Sequence, residues 1–172
     1  VWKASTGRVK EEVADMQAIA DKNGDKITIE PWDYRFYAEK VRKEKYDLNS
    51  DEIKQYLQLD KLTEALFFTA GELFGFDFKP VAEGSVSVFH EDVKVWEVTK
   101  KSTGEHVGLW YLDPYARQGK RSGAWATTYR DYTTFNGKKT TLASNNSNFV
   151  KPAPGEAVLV SWDDAQTFFH EF

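Results

Sequence analysis

Val107-Gly108-Leu109-Trp110-Tyr111-Leu112 decides the fold. Read as a strand, it sends Val107, Leu109 and Tyr111 to one face and Trp110 and Leu112 to the other, because successive side chains alternate. Both faces are apolar, so at least one must be covered by helices or by further chain. Five neighbouring runs, 85–89, 93–99, 124–129, 140–150 and 157–160, share its β-branched and aromatic character. Turn-forming stretches such as Lys101-Ser102-Thr103-Gly104 and Asn136-Gly137-Lys138 separate them.

Upstream of this strand region the period changes to that of helices. Val9, Val13, Met16 and Ala20 mark an amphipathic helix running to about Lys22 and stopped by Asn23-Gly24. Pro31 takes a favoured first helical position, with Tyr34, Tyr37, Ala38 and Val41 along one side as far as Tyr46. Asn49-Ser50-Asp51-Glu52 reads as a cap with first-turn acids, opening a short helix to about Tyr56. Leu62, Ala65, Leu66, Thr69 and Leu73 form the stripe of a further helix, closed by Gly75 in a left-handed conformation.

Downstream, Ser161-Trp162-Asp163-Asp164 is a capping box. Trp162, Ala165, Phe169 and Phe172 follow as an apolar stripe, with His170 and Glu171 beside it. The expected architecture is α+β. One compact unit over 1–172 has a helical part (1–78), a largely antiparallel sheet (79–160) and a C-terminal helix (161–172).

Composition excludes several functions. A chain of 172 residues suits one domain, and 41% hydrophobic with 29% charged residues argues against disorder. A net charge of -4 gives no footprint for nucleic acid. The most apolar stretch, 65–76, is broken by Thr69, Gly71 and Glu72, which argues against a membrane partner. The absence of cysteine removes disulfides and thiol ligands and accords with a cytoplasmic location. Val1-Trp2-Lys3 carries neither an initiator Met nor a leader pattern.

Aromatic residues reach 15%, and Trp96, Trp110, Trp125 and Tyr129 are rings on which a sugar could stack. A stand-alone aromatic-rich binding domain, or a carboxylate-based hydrolase acting on carbohydrate, is the alternative reading. The 27 acidic residues show no spacing that nominates a catalytic pair. Asp21-Lys22-Asn23-Gly24-Asp25 has Lys26 where a calcium loop needs glycine, and reads as a surface turn. Gly119-Lys120-Arg121-Ser122-Gly123 lacks phosphate-loop spacing and reads as a flexible loop lining a cleft.

The chain closes on Phe168-Phe169-His170-Glu171-Phe172. His170 and Glu171 are the first two residues of an HExxH zinc motif. That motif uses two histidines one helical turn apart as ligands and the glutamate between them as general base. The second histidine would lie two residues beyond Phe172. Taken alone, such a dipeptide is more often a solvated helix end than half of a metal site.

Four segments change that balance. They are Pro31-Trp32-Asp33-Tyr34-Arg35-Phe36-Tyr37-Ala38-Glu39-Lys40, Gly108-Leu109-Trp110-Tyr111-Leu112-Asp113-Pro114-Tyr115, Asn148-Phe149-Val150-Lys151-Pro152-Ala153-Pro154-Gly155, and Ser161-Trp162-Asp163-Asp164 leading into the closing pentapeptide. Together they resemble, in register and over the whole chain, an interior part of the thimet-oligopeptidase family of zinc metallopeptidases, most of all its bacterial peptidyl-dipeptidase branch. The resemblance implies a parent that cleaves short peptides, with His170 as zinc ligand and Glu171 as catalytic base. It also implies that Asn145, Asn146, Ser147, Asn148 and Phe149 lie in a substrate-flanking edge strand that pairs with the peptide backbone.

In that family Gly and the second histidine follow, and a glutamate on a later helix completes the ligands. The sequence therefore holds one of three expected donors, too few to bind zinc tightly or to hydrolyse peptides by the family mechanism. Apolar faces left uncovered would favour homo-oligomers.

Overall fold

The computed structural model describes residues 1–47 and 49–172. The chain gathers into two compact units, Val1–Glu52 and Ile53–Phe172. The sequence reading drew a single unit with its internal change near residue 78. The change from helix to strand comes between Phe74 and Phe76, and the apolar helix ahead of the sheet belongs to the sheet's unit.

In the first unit, α1 (Trp2–Asn23) ends at Gly24, whose left-handed φ of 79° lets its N–H reach back to the Ala20 and Asp21 carbonyls. Helix α2 (Tyr34–Tyr46) begins later than the sequence suggests. Asp33 accepts from the Glu30 N–H and folds 31–33 into a turn first. Met16, Ile19 and Ala20 meet Tyr37 in a small core, and the Tyr37 hydroxyl donates to Asp25 at 2.8 Å. The Gln17 amide holds the connecting segment at both ends, donating to the Ile27 carbonyl and accepting from the Ile29 N–H. A short α3 (Ser50–Lys54) follows Asn49, whose side chain accepts from the Asp51 N–H.

The second unit is built on five strands: β1 (Phe76–Pro80), β2 (Lys94–Lys100), β3 (His106–Tyr115), β4 (Trp125–Arg130) and β5 (Thr141–Phe149). Their spatial order is β1-β2-β3-β5-β4, antiparallel throughout except where β3 and β5 run parallel. The α+β class and largely antiparallel sheet agree with the sequence reading. Helices α4 (Leu59–Phe74) and α5 (Trp162–Glu171) cover one face. There Leu59, Leu66, Val98, Trp110, Leu112, Phe149, Val160, Ala165 and Phe168 form the main core. Phe67 stacks on Phe78 at 4.2 Å and meets Trp96 and Trp110 edge-on. The other face buries Val93, Val95 and Tyr111 under an irregular segment that contributes Val81 and Val86.

That cover explains one missed assignment. Residues 85–89 were expected to pair as a strand, but a turn at Ala82–Ser85 with Gly84 at φ 77° sends them across the sheet instead. Residues 157–160 likewise form no strand. Two backbone hydrogen bonds, Leu59 to Val158 and Val160 to Leu57, clip this stretch beside the start of α4. The unforeseen β1 alternates Phe76 and Phe78 inward, a period-2 signal too short to separate from the preceding helix cap at Gly75.

Two helical stripes are rotated from expectation. In α4 the buried positions are Leu59, Thr63, Leu66 and Ala70, while Ala65, Thr69 and Leu73 face outward with Phe68. In α5 Ala165 and Phe168 are buried, whereas Trp162 and Phe169 point away.

The segment 116–123, which contains the Gly119–Gly123 stretch read as flexible, is anchored. Asp113 is buried, and Arg117 donates to its two oxygens at 2.6 and 2.9 Å. Lys120 Nζ donates to the Asp113 and Tyr115 carbonyls and lies 3.2 Å from the Asp113 carboxylate. Burial pushes the Asp113 carboxyl up, but the two cations more than reverse this and hold it below the usual range. Burial lowers Lys120, with Asp113 opposing.

Gly108 lets β3 lie close against β5, since a Cβ there would stand 2.2 Å from the Thr141 carbonyl oxygen. Gly108→Ala is expected to destabilise the protein by about 1–3 kcal/mol, measured by urea denaturation. Asp113→Asn leaves the buried Lys120 ammonium and the half-buried Arg117 without their charge partner and should cost about 3 kcal/mol at neutral pH. Because the folded carboxyl is depressed, its stabilisation is complete above the unfolded-state range and disappears as pH falls through the folded value. The gap between Asp113→Asn and the parent chain should therefore narrow on acidification.

Candidate active site

Helix α5 is set locally before it is set by packing. Ser161 Oγ accepts from the Asp164 N–H at 3.1 Å, and Asp164 returns the bond to the Ser161 N–H at 3.3 Å. Ala165 and Phe168 then seat the helix on the sheet. This register places His170, exposed, and Glu171, half-buried, in the last turn. Phe168 and Phe172 bracket the pair, and both rings rest against the Trp110 indole, at 6.5 and 5.4 Å.

The strand expected at the substrate edge is interior. β5 is flanked by β3 and β4, so its backbone is already paired on both sides; the edge strands are β1 and, beside β5, β4. Polar strands usually sit at edges, but here the polar side chains are satisfied internally. Trp110 Nε1 donates to Asn145 Oδ1, and Asn146 Nδ2 donates to the Trp125 carbonyl and to Ser144 Oγ. Asn148 Nδ2 donates to the Arg121 and Gly123 carbonyls, tying the anchored 116–123 segment to the sheet. Asn145, Asn146, Ser147 and Phe149 are all buried.

The approach to β4, the end of β5 and the first turns of α5 border an open pocket of about 330 Å³ lined by Gly123, Ala124, Ser147, Asn148, Phe149, Asp164 and Thr167. Asp164 and Thr167 precede Glu171 by seven and four residues, so the pocket lies along the side of α5 that ends at Glu171. The open edge of β4 carries Tyr129, whose hydroxyl accepts from Ser144 Oγ at 3.0 Å. Sequence reasoning passed over both features. The order of strands, and not any local motif, makes β4 the edge.

Among the described residues no group of three His, Cys, Asp or Glu side chains could hold a metal. His90 engages Asp92, and His106 Nδ1 lies 2.8 Å from Glu97. A lone imidazole at His170 does not by itself fit a zinc site. No helix among the described residues is long and apolar enough to cross a membrane. Of the rings considered for sugar stacking, Trp96 and Trp110 are packed against each other in the core at 5.2 Å, and Arg121 lies over Trp125.

Residues 1–172 match Peptidase family M3. The chain is 41% identical over 170 residues to dipeptidyl carboxypeptidase of Escherichia coli (strain K12), covering 98% of this chain and 24% of the relative. Dipeptidyl carboxypeptidase of Salmonella typhimurium is 40% identical over 166 residues, covering 96% and 24%. Oligopeptidase A of Escherichia coli (strain K12) is 30% identical over 165 residues, covering 95% and 24%. The chain spans about a quarter of the length of these relatives. A match of this extent, over the whole of the chain, shows that it belongs to peptidase family M3.

Proposed function

We propose that residues 1–172 supply the substrate edge and the His-Glu helix of a metallopeptidase that releases dipeptides from the C-termini of short peptides. The observation that supports this most directly is the capped α5, which carries Glu171 at the end of the side that lines the pocket beside β4. An extended peptide would add to the open edge of β4 through backbone hydrogen bonds, which read conformation more than side chains. Residues Asn145 to Phe149 then act on the substrate from behind, by fixing β4 and the 116–123 segment, instead of pairing with it. Glu171 takes the proton of the attacking water on its carboxylate.

His170 would give one imidazole to a zinc ion, and the further donors of such a site would come from outside these residues. The 41% identity to a dipeptidyl carboxypeptidase favours dipeptide release over other peptidase activities. Outward apolar residues of α4, including Phe68, Leu73 and Phe74, would promote self-association of the chain by itself.

Two measurements test this reading. A chimera in which residues 1–172 replace the matched quarter of the Escherichia coli dipeptidyl carboxypeptidase should release dipeptides from an N-blocked peptide, followed by mass spectrometry. Glu171→Gln in that chimera should lower kcat by roughly 10²–10⁴-fold. An active chimera indifferent to Glu171→Gln would refute the assignment. The 172-residue chain alone should show no chelator-sensitive peptide hydrolysis, and such activity in a pure preparation would contradict the donor count.

A further inference from the structure

Asn145 sits in β5 with only 3% of its surface exposed, in the core face of the sheet. Its amide orientation is set by chemistry. Trp110 Nε1–H can only donate, so Asn145 Oδ1 faces it at 2.9 Å and Nδ2 faces the Phe168 carbonyl at 3.5 Å. A carbonyl oxygen has two lone pairs, so this contact can coexist with the helix's own hydrogen bond. The same indole packs against Phe168 and Phe172, the two rings on either side of His170-Glu171. It is itself held by Trp96 at 5.2 Å and Phe67 at 5.5 Å. One indole–amide unit thus touches the last turn of α5 by its backbone and by both of its ring anchors.

We propose that Asn145, oriented by Trp110, is a positioning residue for Glu171. It fixes the rotation and depth of the final α5 turn against the sheet, so that the carboxylate keeps a constant approach to the peptide on β4. This rests on the reading that Glu171 takes the proton, and it assigns to Asn145 a task different from contact with substrate. Glu171 is half-buried, and Ala165 and Phe168 hold α5 on the sheet ahead of it, so a final turn released from Asn145 can pivot without unfolding.

The test uses the chimera described above, with Asn145→Ala, Trp110→Phe and the double variant alongside Glu171→Gln. Both single variants should lower kcat by about 10–100-fold with KM changed less than about threefold, the loss expected from displacing a reacting group by about 1 Å. The double variant should be no slower than the slower single one, since both remove the same support. Trp110→Phe keeps an aromatic ring in the core while removing the N–H donor and one ring of the indole, so, with folding checked by circular dichroism, it decides the matter if Asn145→Ala fails to fold. If Glu171→Gln abolishes turnover while Trp110→Phe and Asn145→Ala retain full kcat, the positioning role is wrong and the catalytic reading stands. Additive losses, or a rise in KM at constant kcat, would equally overturn it. A chimera indifferent to Glu171→Gln fails the catalytic reading first, and this inference with it.

Discussion

The parallel pairing of β3 with β5 is the constraint on which the second unit depends. Two parallel neighbours cannot be joined by a tight turn, so the chain must leave β3, form β4 and return before β5 can slot in. β5 is thereby enclosed and β4 becomes the margin. The close contact of Gly108 with the Thr141 carbonyl is where that pairing begins, and it leaves no room for a side chain. The cluster of half-buried Arg117 with buried Asp113 and the Lys120 ammonium sits where the chain departs from β3 and gives the crossover a fixed first bend.

What was legible in the sequence was whatever is decided within a few residues. Gly24 and Gly75 ended their helices as read, because a left-handed terminus is a local requirement. The capping box of α5 was readable for the same reason. The two apolar faces around Trp110 and Tyr111 were separated as read for Leu109 to Leu112, since alternation is a property of the strand alone, whereas Val107, beside the register shift between β2 and β3, packs on the Trp110 side instead. The location of His170 and Glu171 in the last turn of a helix followed from the same arithmetic.

The misreadings share a cause, which is dependence on distant partners. The polar run Ser144 to Asn148 looks like an exposed margin, and only the positions of Trp110, Trp125 and Arg121 reveal that its amides are spent inside. Residues 85–89 have strand composition but cap the sheet's second face, a role no propensity describes. The apolar stripes of α4 and α5 were displaced because several aromatic positions competed, and the one facing the Trp96–Trp110 pair won. Composition alone also left the tryptophans free to be stacking surfaces, whereas Trp110 is buried in the core and Trp96 packs against it.

The margin formed by β4 has a further consequence. Unpaired backbone donors and acceptors do not distinguish a guest peptide from the same strand of a neighbouring molecule, so this margin is also a seed for fibrous stacking. The register slip between Thr128 and Arg130 works against that outcome. It twists the strand after four regular residues and leaves a docking length suited to a short guest but poor for indefinite growth.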